Sequence, residues 1–123
     1  MIEEHPRYSG AVRFEPDPIV YGPVFHKRRD GDDLIDITDT FSAADEAVMC
    51  SLVVNGCLGR RVGITFSGPG WNKSTEVTID TATEKRITVS RTRDSDSEFQ
   101  AGHGRVALSL DGELTLRRRF VIL

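Results

Sequence analysis

Five aspartates close together form the densest set of potential metal ligands in this sequence. They are Asp30, Asp32, Asp33, Asp36 and Asp39. Carboxylates on flexible loops can bind Ca²⁺, which takes about six to eight oxygen ligands. The D-x-D-x-D-G order of a calcium loop is absent, and Asp36 falls in the middle of a predicted strand. The pattern therefore favours a solvated loop and strand edge over a calcium site, and the same holds for a second acidic run at residues 94–98.

Histidines and cysteines offer little further chemistry. His5, His26 and His103 are scattered, and His103 stands between glycines in a predicted flexible loop. Cys50 lies within an apolar run and Cys57 follows a turn, so free buried thiols are favoured over a disulfide or a metal site. Ser-Gly-Pro-Gly at residues 67–70 is a turn, because neither a lysine-serine pair nor a helix follows it. The sequence predicts no catalytic residue, no cofactor and no metal, and hence no enzyme.

Basic clusters at residues 27–29, 60–61 and 117–119 are candidate binding features. Alternate arginines on a strand form a positive stripe that can dock an acidic partner or nucleic acid, although nearby acidic runs favour cross-strand ion pairs. Trp71 follows a Gly-Pro-Gly turn and is either an exposed interface anchor or a ring folded back over the end of the fold. The interface candidates are Trp71, Arg117, Arg119, Lys27, Arg28 and Arg29.

Composition sets the class of protein that carries these residues. The chain has 123 residues, which fits one domain, and its formal net charge of −3 gives no reason to expect nucleic acid as a partner. No window is long and apolar enough to cross a membrane, and the N-terminus does not resemble a signal peptide. A reduced, cytoplasmic protein is favoured, with secretion left open.

The elements that must position these residues are strands. The most apolar run, residues 46–55, has apolar side chains on both sides, as expected of a strand covered on one face and protected on the other. Period-two alternation predicts seven strands, spaced by turn residues, at 34–40, 47–54, 60–67, 74–80, 86–91, 105–110 and 113–123. Residues 1–33 form an N-terminal arm with one or two further strands, and residues 34–123 form the main domain.

Several local predictions accompany these strands. The prolines around Ile19 confine any strand there to a sheet edge, and residues 25–33 read as a charged, solvated turn. Ser42 with Asp45 indicates the cap of one short helical turn. Asn-Gly at 55–56 and Asp-Gly at 111–112 are hairpin signals. Arg118 shares the parity of its apolar neighbours, so either a bulge resets the register near residues 117–119 or the edge of the fold opens at Arg118.

Three segments of residues 33–123 have a familiar order: TDTFSAADEAV, RVGITFSGPGW and GRVALSLDGELTLRRRFVI. With these segments, residues 33–123 resemble the small bacterial immunoglobulin-like β-sandwich domains. The matching positions are Phe41, Val48, Ile64, Phe66, Pro69, Val106, Leu108, Asp111, Gly112, Phe120 and Ile122. Phe66 stands where a tryptophan is common and Arg105 replaces a tyrosine, and residues 105–110 lack the cysteine of the antibody inter-sheet disulfide. The resemblance implies an antiparallel immunoglobulin-like sandwich of about seven strands, with one or two extra N-terminal strands, and no shared active site.

These features lead to three expected functions. The first is a non-enzymatic protein–protein binding or scaffold module, with a homodimer through the N-terminal edge strand as a further expectation. The second is a small inhibitor or immunity protein of a phage or toxin locus. The third is a calcium- or carbohydrate-binding sandwich.

Overall fold

Two β-sheets that share one hydrophobic core make up the fold. The computed structural model describes residues 11–13 and 19–123, and this part of the chain contains no helix. The strands are β1 (Ala11–Arg13), β2 (Ile19–Asp30), β3 (Asp33–Ile37), β4 (Thr40–Phe41), β5 (Ala47–Asn55), β6 (Arg61–Gly68), β7 (Trp71–Thr78), β8 (Lys85–Thr92), β9 (Gly102–Leu110) and β10 (Glu113–Ile122). The first sheet has the order β1-β2-β5-β8, with β3 also paired to β2, and the second has the order β4-β10-β9-β6-β7. All pairs are antiparallel except β4 with β10, which are parallel.

Strand β5 lies in the interior of the first sheet, between β2 and β8. Its inward side chains, Val48, Cys50, Leu52 and Val54, are all at most 1% exposed. Ser51 and Val53, on the opposite side of the strand, are buried as well. The prediction of a strand covered on one face and protected on the other is therefore confirmed, and the seven predicted strands correspond to β3 and to β5 through β10.

Strand β2 corrects two predictions. The segment around Pro23 is interior, because β2 pairs with β5 on one side and with β1 and β3 on the other. The charged residues expected in a solvated turn at 25–33 continue the same strand up to Asp30. Proline is tolerated here because the register shifts between Tyr21 and Val24, where Gly22 and Pro23 need no ladder partner. This shift turns Val20 and Phe25 toward the same core.

The short connections that follow β2 are only partly as expected. Ile37, an apolar residue of the alternating segment 34–40, is 58% exposed at the end of β3. The Ser42 backbone N–H donates to Asp45 Oδ2 at 2.8 Å, and the Ala44 N–H donates to Ser42 Oγ at 3.2 Å. These are the predicted capping contacts, but they close a turn and no helix follows.

The two predicted hairpin turns have different outcomes. Asn55–Gly56 does not close a hairpin, since β5 belongs to the first sheet and the next strand, β6, to the second. Asp111–Gly112 does join two paired strands, β9 and β10, with positive φ angles of 52° and 86°. Asp111 also accepts a hydrogen bond from the backbone N–H of Arg61 at 2.9 Å, which ties this turn to β6.

A β-bulge between Leu114 and Leu116 sets the register of the last hairpin. The bulge lies two residues before the segment 117–119, near which the sequence placed it. Arg118 consequently keeps the parity of Leu116 and Phe120 and lies opposite the buried Val106. Its side chain is nevertheless exposed, as the second interpretation, an opening at the edge of the fold, requires.

Aromatic rings fill one end of the core. The Phe120 ring lies 5.2 Å from Phe25, 5.8 Å from Phe41, 5.7 Å from Phe66 and 6.3 Å from Trp71, measured between centroids. Phe25 belongs to the first sheet and the others to the second, so this cluster joins the two sheets. A Cβ on Gly104, directly opposite Phe120 on β9, would overlap the Phe120 ring.

Candidate binding face

Three arginines lie on the outer side of the second sheet. Phe66, Val106 and Phe120 point into the core, so residues one position away along the same strands point outward. Arg105 on β9 lies directly opposite Arg119 on β10, and Arg117 lies opposite Ala107 in the next outward row. All three arginines are exposed. We call Arg105, Arg117 and Arg119 the basic face.

The basic face has no ion-pair partner among residues 11–13 and 19–123. None of its three guanidinium groups makes an ion pair or a side-chain hydrogen bond within the part of the chain that the structure describes. Like charges directly opposite on neighbouring strands repel and destabilise a sheet. The strand register thus places the positive charges of Arg105 and Arg119 side by side, with no counterion from the described residues.

In the predicted basic cluster at residues 27–29, two of the three charges pair with acidic residues. Lys27 Nζ lies 3.1 Å from Asp45 Oδ2, and Arg28 Nη2 lies 2.8 Å from Asp36 Oδ2. Arg29 Nη1 donates to Thr88 Oγ1 at 3.3 Å. Cross-strand and loop ion pairs, the alternative considered for all the basic clusters, therefore describe Lys27 and Arg28 but not Arg117 or Arg119.

A depression of about 370 Å³ adjoins the Arg105–Arg119 pair. Its lining residues are Ser67, Gly68, His103, Gly104, Arg105 and Arg119, and we call it the arginine pocket. Ser67 lies opposite Arg105 on β6, so Ser67, Arg105 and Arg119 form one row across three strands. His103 was predicted in a flexible loop, but it lies within β9 and is exposed. The pocket thus brings together two guanidinium groups, an imidazole and a hydroxyl.

Small side chains form the centre of the same outer face. Thr65 on β6 lies opposite Ala107 on β9, and Gly63 lies opposite Ser109. A Cβ on Gly63 would overlap the Ser109 hydroxyl, so the sheet surface is low and closely packed at this point. A partner can therefore approach the backbone here while the longer arginine side chains stand beside it.

Trp71 takes the second of its two predicted placements. Its ring is folded back over the end of the core, 4.9 Å from the Phe66 ring in an edge-to-face arrangement. The ring edge also occupies the space that a Cβ on Gly68 would need. The Arg91 guanidinium lies 5.9 Å from the ring centroid on the remaining side. Trp71 therefore supports the sheet beneath the arginine pocket and does not project as an exposed anchor.

A buried Ser–His pair lies on the outer side of the first sheet. Ser51 Oγ and His26 Nε2 are 2.7 Å apart, and His26 Nδ1 lies 2.8 Å from the Arg28 carbonyl oxygen. Because a carbonyl can only accept, Nδ1 carries the proton and the Ser51 hydroxyl donates to Nε2. Thr88 Oγ1 is 2.8 Å from Ser51 Oγ and completes the chain of hydrogen bonds.

The hydrogen bond between Ser51 and His26 is the contact that a serine nucleophile makes with its general base, but a substrate cannot reach this pair. His26 and Ser51 are both 0% exposed, so no substrate reaches the Ser51 hydroxyl in this structure. Burial lowers the pKa of His26, against the opposing effect of its hydrogen bond to the Arg28 carbonyl. The arrangement satisfies polar groups in a protected sheet and favours a neutral imidazole.

Both cysteines are free and buried, as predicted. Burial raises the pKa of the Cys50 thiol and that of the Cys57 thiol, which keeps both protonated and unreactive at neutral pH. Neither thiol is placed for nucleophilic or redox chemistry.

The acidic residues of the β2–β3 hairpin do not converge. Asp36 pairs with Arg28 and Asp32 pairs with Arg86, which leaves these carboxylates beside cations. Among residues 11–13 and 19–123, no three His, Cys, Asp or Glu side chains come together where they could hold a metal ion. His26 and His103 belong to different sheets, and His5 lies outside the described residues.

The sequence missed three of the residues that form the site. Arg105 and Ser67 lie in different strands. Only the pairing of β6, β9 and β10 shows that they share a row with Arg119. The available signal was the outward parity of both residues relative to the predicted core positions. His103 was missed because its flanking glycines suggested a loop, whereas Gly102 and Gly104 both belong to β9.

A functional proposal for this chain rests on the geometry described above. No protein-family model matches the chain, and a search of curated proteins finds no significant match. Within the described residues, the structure also holds no helix of the length and hydrophobicity needed to cross a membrane.

Proposed function

We propose that the protein is a non-enzymatic binding module that engages an acidic surface of a protein partner through the basic face. The observation that carries the proposal is that none of the described acidic residues pairs with any of three exposed arginines, two of which lie directly opposite each other. Carboxylates of a partner would offset their mutual repulsion and accept charge-assisted hydrogen bonds from them. The low centre of the sheet beside the arginines leaves room for such a partner.

A protein partner fits the rest of the molecule better than a nucleic acid. The chain carries 19 acidic and 16 basic residues, so a long polyanion would meet repulsion away from the basic face. The only tryptophan is packed on Phe66 and Phe120, so it offers no platform on which bases could stack. A local acidic patch on a folded protein or peptide needs only the basic face.

The proposal includes an immunoglobulin-like topology for the two sheets. The order β10-β9-β6-β7 corresponds to the G-F-C-C′ order of such domains, and β2-β5-β8 corresponds to A-B-E. In immunoglobulin-like domains the first strand can cross to the other sheet and run parallel to the last strand, and the parallel pairing of β4 with β10 fits that arrangement. In this topology the basic face belongs to the strands equivalent to F and G.

Fluorescence anisotropy with a labelled acidic peptide tests this function. Wild-type protein should bind the peptide at low ionic strength, and the variant Arg105→Gln/Arg117→Gln/Arg119→Gln should bind at least about tenfold more weakly, which is roughly 1.4 kcal/mol. The variant Lys27→Gln/Arg28→Gln/Arg29→Gln removes the same charge from the ion-paired cluster and should keep wild-type affinity. Equal losses in both variants, or equally tight binding of a DNA duplex that competes with the peptide, would contradict the proposal.

A further inference from the structure

The arginine pocket contains more donors than a carboxylate can use. Arg105 and Arg119 present forked guanidinium groups from neighbouring strands, and Ser67 and His103 add a hydroxyl and an imidazole. A carboxylate carries one negative charge on two oxygens. A phosphate monoester carries a charge of about −1.5 to −2 near neutral pH and offers three acceptor oxygens. Two adjacent guanidinium groups match a dianion in both charge and number of hydrogen bonds.

The backbone beneath the pocket is held in place by the aromatic cluster. Gly68 and Gly104 line the pocket, and in each case a ring occupies the space on the core side where a side chain would begin. Trp71 fills that space at Gly68, and Phe120 fills it at Gly104. The two arginines therefore extend from strands whose positions are set by packed rings, so a bound group would meet donors on a rigid base.

We infer that the arginine pocket binds the phosphate group of a phosphorylated side chain on the protein partner. This inference rests on the proposed function and assigns the pocket a role distinct from that of Arg117. Arg117 lies on the same strand and face as Arg119, but it does not line the pocket. It contributes to acidic recognition in general, whereas Arg105 and Arg119 also recognise the phosphate.

Three forms of one acidic peptide separate these roles: a central serine, a phosphoserine, and a glutamate at the same position. We expect wild-type protein to bind the phosphoserine peptide about tenfold or more tightly than either of the other two. Arg105→Gln and Arg119→Gln should each remove most of this gain. Arg117→Gln should weaken binding of all three peptides by a similar factor and leave the gain intact. Thermal unfolding of each variant confirms that it is folded.

The outcomes distinguish the inference from the proposed function. If the serine peptide binds through the basic face but phosphoserine binds no tighter than glutamate, the phosphate inference is wrong and the proposed function stands. A gain that survives in both Arg105→Gln and Arg119→Gln, or that disappears equally in Arg117→Gln, also overturns the inference. If none of the three peptides binds, both the inference and the proposed function fail.

Discussion

Arg105 on β9 and Arg119 on β10 lie directly opposite each other, and neither makes an ion pair with any described residue. The bulge between Leu114 and Leu116 produces this relationship. Without that one-residue shift, Arg119 would lie opposite Gly104 and turn toward the core side. The bulge thus places two like charges opposite each other. This arrangement and the packing around it have consequences that can be measured.

Removing one of these charges should stabilise the protein. Because like charges opposite each other repel, Arg119→Gln should raise the free energy of unfolding by about 0.2–1 kcal/mol at low salt. Urea unfolding at low salt and at about 1 M salt measures the effect, which should nearly vanish at high salt, where the screening length is about 3 Å. Arg28→Gln is the matched control and should lower stability by up to about 1 kcal/mol, since Arg28 pairs with Asp36. A destabilising effect of Arg119→Gln would show that Arg119 has a favourable internal partner.

The glycine at position 104 should be intolerant of a methyl group. Gly104→Ala places a Cβ inside the Phe120 ring, so we expect a loss of roughly 1–3 kcal/mol measured by chemical denaturation. The double variant Gly104→Ala/Phe120→Leu should show a smaller loss than the sum of its single variants, because leucine vacates part of that space. Additive losses would mean that Gly104 is required for another reason.

The buried imidazole should make stability depend on pH. Burial lowers the pKa of His26, so the folded protein binds fewer protons there than the unfolded chain. The stabilising contribution is complete above the unfolded pKa of about 6.5 and decreases as the pH falls below it. Its slope is at most about 1.4 kcal/mol per pH unit. Denaturation of wild type and His26→Asn between about pH 7.5 and 5 should show the steeper decline in wild type.

The lowered pKa of His26 can also be measured directly in the wild-type protein. NMR titration of wild type should show the His26 ring staying neutral below the pH at which an imidazole in an unfolded chain becomes protonated. A His26 resonance that titrates as in a peptide would contradict the lowering of the His26 pKa by burial.

The cysteines should be unreactive until the protein unfolds. Both side chains are at most 1% exposed, and burial raises the pKa of each thiol. A colorimetric thiol reagent at neutral pH should therefore label neither Cys50 nor Cys57 in the folded protein and both in urea. Rapid labelling of one thiol without denaturant would show that its surroundings open.

Much of the fold could be predicted because period-two alternation is a local property. Val62, Ile64 and Phe66 are buried in β6 as their spacing indicated. The length and interior position of β2 were missed because the register shift at Gly22 and Pro23 interrupts the alternation. The turn at Asn55–Gly56 was identified, but a local signal does not say whether the next strand pairs or crosses to the other sheet.

The site could be predicted less well, because it depends on register between strands. The arginines at 117–119 were visible as a cluster, but their difference from the cluster at 27–29 lies in the acidic partners that each cluster contacts. The fold brings Asp45 to Lys27 and Asp36 to Arg28. No described acidic residue pairs with Arg117 or Arg119. The segment that was expected to provide an edge strand for a homodimer is mostly interior β2, and residues 1–10 and 14–18 lie outside the described residues. The homodimer itself stays a prediction.

Chemical-shift mapping tests the central claim most directly, since it shows which face an acidic ligand occupies. Adding an unlabelled acidic peptide to ¹⁵N-labelled protein at low salt should shift the backbone amides of β9 and β10 around Arg105, Arg117 and Arg119, together with those of Ser67 and Gly68. The amides around Lys27 and Arg28 should stay unchanged. Shifts concentrated on the β2–β3 hairpin, or no saturable shifts on the second sheet, would contradict the account.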